Sequence, residues 1–366
     1  MMRKRVAALV RLSAVLFVSL ISSSHTTVAA EPDVDGYELK NPESENDGSK
    51  TEAASGGKRS VKETVEQAIP YLERAGEAWI EKRQCVSCHQ VPFMLWSLSA
   101  ANDQGYAINR DRLKKWTAWS TEVRNFVKPA QKSDVDVAST MASQIDTLNA
   151  LLLGIPAPPH AETDEPPAQT ASDTTAWRQV FAEALVKNQQ NQGEWKPCGQ
   201  LPAQKRPLTE TTQVTTAWTL LALSSAHTTA AEQQKALATL QNTNPSSTEW
   251  WAVNLLLADK HKKMDAEALS DSLIEKQQPD GGWGWLTSDS SDAMATGMAI
   301  YALSRHDPER NKAAISRAVN FLTGTQSSDG SWKVPGTKKT TRNKPTPTSN
   351  YWGTAWAVIG LLESAF

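Results

Sequence analysis

"KQQPDGGW", residues 276–283, decides how the rest of the chain is read. It ends a helical stretch with one apolar stripe, "AEALSDSLIEKQ" (266–277). After a polar loop comes "MATGMAIYALSR" (294–305), apolar on every side and so suited to burial all round. The same grammar returns twice. "NQQNQGEW" (188–195) joins "WRQVFAEALVKN" to "TTAWTLLALSSA", and "GTQSSDGSW" (324–332) joins "AISRAVNFLTGT" to "YWGTAWAVIGLL". The repeating unit is an outer amphipathic helix, a turn ending in tryptophan and an inner buried helix.

Three further pairs follow this pattern without the Gly-Trp turn: 61–82 with 92–103, 110–128 with 136–153, and 231–242 with 248–259. Six helical hairpins then account for residues 61–366. Aligned on the inner helix, one column holds Phe93, Trp218, Trp251, Met298 and Trp356, and Thr216, Thr296 and Thr354 recur two positions earlier. Most of these bulky residues read as core. One per hairpin at one level is also what a closed ring would show around its axis. Periodicity alone is equally compatible with an open solenoid.

The "QQPDGGW" and "QSSDGSW" turns, with their "TGMAIYAL" and "TAWAVIGL" helices, resemble the repeats of squalene-hopene cyclases and protein prenyltransferase β-subunits. The likeness is strong in the last third of the chain and weak before residue 170. It implies an all-α fold, an α6/α6 toroid of six inner and six outer helices, in which the Trp turn is structural. The chemistry of those families is not legible. The stretch nearest to the cyclases' D-x-D-D acid, Asp134-Val135-Asp136-Val137, ends in valine and reads as a helix cap. The prenyltransferases' zinc ligands have no match around Cys198. Enzymatic activity is therefore left open, with the missing motifs weighing against it.

Residues 1–30 read as a secretory signal peptide: Arg3, Lys4 and Arg5, an apolar run to Ile21, then a small-residue stretch ending Val28-Ala29-Ala30. The run is too short to span a bilayer. Residues 31–60 are polar and Gly/Ser-rich and read as a disordered linker. Export to the periplasm or another extracytoplasmic compartment follows. The leader carries four basic residues and no acidic one, so its removal takes the formal charge from −2 to about −6. Nothing there favours nucleic acid.

One motif stands apart. "RQCVSCHQVPFMLW" (83–96) contains Cys85, Cys88 and His89 in the C-x-x-C-H order of a c-type haem site. A zinc knuckle lacks further ligands, and a redox dithiol lacks its βαβ context. The expectation is one covalent haem c on Cys85 and Cys88, with His89 as the proximal iron ligand and Phe93 and Trp96 packing against the ring. His160, Met141 or Met294 would supply the distal ligand. The leading reading is thus an exported c-type cytochrome-like protein, serving electron transfer or redox sensing with an unidentified redox partner. The alternative is a terpenoid-cyclase-like enzyme or a module that holds an isoprenoid in the ring.

Overall fold

The computed structural model describes residues 59–86, 90–157, 176–198, 205–226, 230–240, 244–262, 264–337 and 343–364. They are helical, with only isolated β-bridges such as Trp283–Asp292. The leader and nearly all of the linker, residues 1–58, lie outside the described residues.

The chain alternates outer and inner helices. The outer set is α1 (Val61–Arg83), α3 (Arg110–Ser120), α6 (Ala176–Lys187), α8 (Ala230–Leu237), α10 (Ala266–Glu275) and α12 (Pro308–Thr325). The inner set is α2 (Val91–Asp103), α5 (Ile145–Gly154), α7 (Leu208–Ser225), α9 (Thr248–His261), α11 (Ala293–His306) and α13 (Pro347–Glu363). A short α4 (Val137–Ala142) precedes α5. Helix starts carry their own caps: the side chains of Asn109, Asp265 and Asp307 each accept the backbone N–H three residues on. Ser60 opens α1 with a capping box and Arg59 donates to Gln326, so the last two residues of the expected linker take part in the helical fold.

The inner helices pack in sequence, and α13 packs in turn against α2, so the ring is closed. Ser97 donates to the Ala355 carbonyl and Gln104 to that of Leu362, which makes α2 and α13 neighbours running the same way. The pairs Asn149–Thr219 and Asp146–Thr215 show the same direction for α5 and α7. The tightest seam lies between α11 and α13. A Cβ added to Gly297 would stand 2.2 Å from the Trp356 carbonyl oxygen, and one on Gly360 2.5 Å from that of Gly297.

The Gly-Trp turns are built identically. The indoles of Trp195, Trp283 and Trp332 donate to the carbonyls of Leu185, Leu273 and Leu322, each ten residues earlier, at 2.7, 2.8 and 3.0 Å. Their backbone N–H groups donate to the hydroxyls of Thr216, Thr296 and Thr354. This accounts for the recurring threonine: it ties each turn to its inner helix. The turn glycines Gly193, Gly281 and Gly330 all have positive φ and press on a carbonyl of the next outer helix: Lys235, Arg317 and, for the last, Gln67 of α1. The sixth hairpin thus leans on the first as the others lean on their successors.

Two expected helices are shorter than their periodicity implies. The stretch 110–128 leaves the α-helix after Ser120 and continues as two 3-10 turns. The stretch 136–153 breaks at Ser143–Gln144, where Gln144 has ψ 61°, so α5 starts afresh at Ile145. Asp136 caps α4, accepting from Ala138 and Ser139, which is the capping role read from the sequence.

Candidate active site in the ring hollow

The bulky column of the inner helices is only partly a column. Phe93, Trp218 and Trp356 face a common hollow. Trp251 instead lies half-buried under the ammonium of Lys276, 4.2 Å from its ring centre. On α11 it is Tyr301, not Met298, that reaches the central rings: it stands 5.9 Å from Trp96 and 6.0 Å from Trp356. Trp96 is 5.4 Å and Phe93 5.5 Å from Trp356, and Trp352 is 6.0 Å from Phe93. Six rings from four inner helices thus form one aromatic cluster, and all but Tyr301 line the hollow. Such tilted and edge-on arrangements present electron-rich ring faces.

The hollow measures about 430 Å³ including its open side, and polar side chains close one wall: Asp146, Asn149 and Glu249. The break before α5 puts Asp146 in the first turn of that helix. A helix N-terminus favours a carboxylate, yet burial dominates here. Loss of solvent, then the nearby Glu249, raise the Asp146 carboxyl from its ordinary 3.8 to about 7. The Cys198 backbone N–H, Arg206 and the Thr215 hydroxyl pull the other way without overcoming this. Thr215 approaches one carboxyl oxygen at 3.5 Å, while Oδ2 has no hydrogen-bond partner.

Behind this wall lies a dense polar network. Glu249 Oε1 accepts the Trp218 indole N–H at 3.0 Å. Its Oε2 lies 2.8 Å from Arg206 Nη1, an ion pair in which the angle is not that of a hydrogen bond and both side chains are almost wholly buried. Arg206 also donates to Ser247 and Thr211 and stacks over Trp285 at 4.9 Å. Burial alone would raise Glu210, but two hydroxyl and two backbone donors from Ser246 and Ser247 hold it below the ordinary carboxylate value. One guanidinium is thus set among three buried acids, Asp146, Glu210 and Glu249.

The expected haem residues fare differently. Cys88, His89 and His160 lie outside the described residues. Cys85 is partly exposed, and Met141 and Met294 are buried core residues on separate helices. Phe93 and Trp96, the residues expected to flank a haem, stand in the six-ring cluster. Among the described residues no group of three or more His, Cys, Asp and Glu side chains is placed to hold a metal ion. None of the described helices is long and apolar enough to cross a membrane.

Comparison with known proteins bears on the choice between the two readings. No known family profile matches the chain. Over 96 residues it is 34% identical to ent-copalyl diphosphate synthase of Streptomyces sp. (strain KO-3988), a match that covers 24% of this chain and 18% of that one. The chain thus spans under a fifth of the curated relative's length. Among solved structures, the type II terpene cyclase MstE of Scytonema is 12% identical over 83% of this chain and 98% of its own, with a TM-score of 0.47. A polysaccharide lyase is 11% identical over 83% and 97%, also at 0.47. Neither structural likeness is close enough to weigh on function.

The reading of the chain as an electron-transferring c-type cytochrome is accordingly corrected. The finding that overturns it is the sequence match to a protein named ent-copalyl diphosphate synthase; no match to a cytochrome stands beside it among the proteins compared above. Electron transfer by a haem iron falls with it.

The sequence reading missed Asp146, Asn149, Arg206, Glu249, Tyr301 and Trp352. A signal existed. "IDTLNALLLG" carries Asp146, Thr147 and Asn149 on an otherwise apolar inner helix, and an acid in such a setting points to a functional use.

Proposed function

We propose that the ring is an isoprenoid-cyclising enzyme in which Asp146 donates the initiating proton. The observation that carries this reading is a carboxyl with one oxygen shielded from solvent and unpartnered, its pKa pushed to about 7, beside five aromatic rings that line one hollow. A carboxyl in that state keeps its proton near neutral pH and can deliver it to a double bond held against it. The alkene's π pair forms the new C–H bond and leaves a tertiary cation. Attack by the next double bond forms a C–C bond and passes the cation along the chain, until loss of a proton restores an alkene. The product is an isomer of the substrate.

The rest of the hollow serves this step. The ring faces stabilise the travelling cation, each by roughly 0.5–2 kcal/mol in a dry site. The Cys198 backbone N–H, the Thr215 hydroxyl and the charge of Arg206 stabilise the aspartate left behind. The relative's name, a diphosphate synthase of the copalyl series, supports an isoprenoid as the substrate class. The leader sequence supports action outside the cytoplasm.

The test is incubation of the purified protein with C15 to C30 isoprenoids, both neutral and diphosphate-bearing, and analysis for cyclised products. The expected result is product from the wild type and none from Asp146→Asn. No product from any of them contradicts the enzymatic reading, and an undiminished rate in Asp146→Asn contradicts the role of that carboxyl.

A further inference from the structure

The hollow's charge limits what it can hold. Among the described residues, its only ionisable lining side chains are acids, Asp146 and Glu249. Arg206, the cation at this wall, and its sequence neighbour Lys205 are both engaged. Arg206 is bound to Glu249, Ser247 and Thr211, with no exposed side-chain surface. Lys205 pairs with Asp289 at 3.0 Å and bonds Asn343. A diphosphate pressed into this space would add negative charges to buried acids with no described cation free to receive them. Burial of an anion without a partner is strongly unfavourable. A neutral prenyl chain meets no such obstacle.

The hollow does provide for one uncharged polar group. Asn149 Nδ2 donates to Thr219 Oγ1 at 2.9 Å, and that hydroxyl spends its own hydrogen on the Thr215 carbonyl at 2.8 Å. Thr219 can then only accept from Asn149, which fixes the amide with Oδ1 at the other end. Oδ1 has no hydrogen-bond partner, and neither does the indole N–H of Trp356, although both residues are almost fully buried and line the hollow. Asp146 Oδ2 and Glu249 Oε2 are open acceptors too, but they belong to the acids of the wall; among the uncharged side chains, one open acceptor and one open donor suit a hydroxyl, which can both donate and accept. Buried polar atoms left open at a cavity ask for such a partner.

From these contacts, and resting on the isoprenoid reading above, we infer that the hollow takes an uncharged isoprenoid bearing a hydroxyl group, with Asn149 and Trp356 as the residues that select it, and not a prenyl diphosphate.

Quenching of intrinsic tryptophan fluorescence, titrated in one detergent buffer with geranylgeraniol, the matching C20 hydrocarbon and geranylgeranyl diphosphate, tests this. The alcohol should bind about tenfold more tightly than the hydrocarbon, the equivalent of one hydrogen bond, and more tightly than the diphosphate by at least as much. Asn149→Leu should erase the preference for alcohol over hydrocarbon while leaving hydrocarbon affinity in place. Its fold is checked by circular dichroism, and the wild-type ranking stands whether or not the variant folds. A diphosphate that binds as tightly as the alcohol, or a hydrocarbon that does, overturns the inference and leaves the isoprenoid reading intact. Binding of none of the three overturns both.

Discussion

Tryptophan builds both the rim of this ring and its hollow, and the two uses differ in one respect. Trp195, Trp283 and Trp332 of the rim are as deeply buried as Trp356 of the hollow. In the rim each indole N–H is bonded to a carbonyl and each backbone N–H to a threonine. In the hollow the Trp356 N–H has no partner. Burial therefore does not separate Trp356 from the rim tryptophans, but its open indole N–H does; Trp218, also in the hollow, is bonded to Glu249. The same holds for acids: Asp292 satisfies the backbone N–H groups of Trp285 and Ala295 at the start of α11, whereas Asp146 Oδ2 is open.

Substitution should split the two regions most widely at pH 8. Trp283→Phe, in the rim, removes a fully buried indole and leaves the Leu273 carbonyl short of a donor, and should lower stability by about 3 kcal/mol in urea unfolding. Asp146→Asn, in the hollow, should raise it. The folded state holds the Asp146 proton up to about pH 7, while the unfolded chain releases it near pH 4. The folded form thus binds more protons across that window, so stability falls as pH rises from about 4 to about 7 and levels off above. Removing the carboxyl should recover a few kcal/mol at pH 8, on the order set by a shift of this size, and flatten this part of the pH profile.

A smaller split is expected between two glycines. Gly281→Ala places a Cβ 2.5 Å from the Arg317 carbonyl oxygen at a φ of +92°, and should cost about 2 kcal/mol. Gly324→Ala, inside α12 with nothing within 4 Å, should instead gain about 0.5–1 kcal/mol. Thr296→Val should cost about 1 kcal/mol by leaving the Trp283 backbone N–H unpaired. An equal response of all three positions in thermal melts would mean that the turns do not fasten the ring as described.

The rim was legible in the sequence because a repeated turn needs repeated residues: the glycine for its φ, the tryptophan for its carbonyl, the threonine two positions before the aromatic. The hollow was not, because each of its polar residues occurs once. Asp146 was hidden by the reading of 136–153 as one helix, when the break at Gln144 is what brings it to a first turn in the ring. Arg206 and Glu249 become partners only when α7 and α9 pack side by side. The C-x-x-C-H motif drew the functional reading to the first hairpin, while Phe93 and Trp96 beside it were part of the central cluster all along.

The protonation state of Asp146 tests the account most directly. Infrared difference spectra of wild type against Asp146→Asn report the carbonyl stretch of a protonated carboxyl, and Asp292, raised to about 6, cancels between the two proteins. The account predicts an Asp146-dependent carboxylic acid band at pH 6 that gives way to carboxylate as pH rises through about 7, with cyclising activity lost over the same range. A difference spectrum at pH 6 that shows Asp146 already ionised would contradict it.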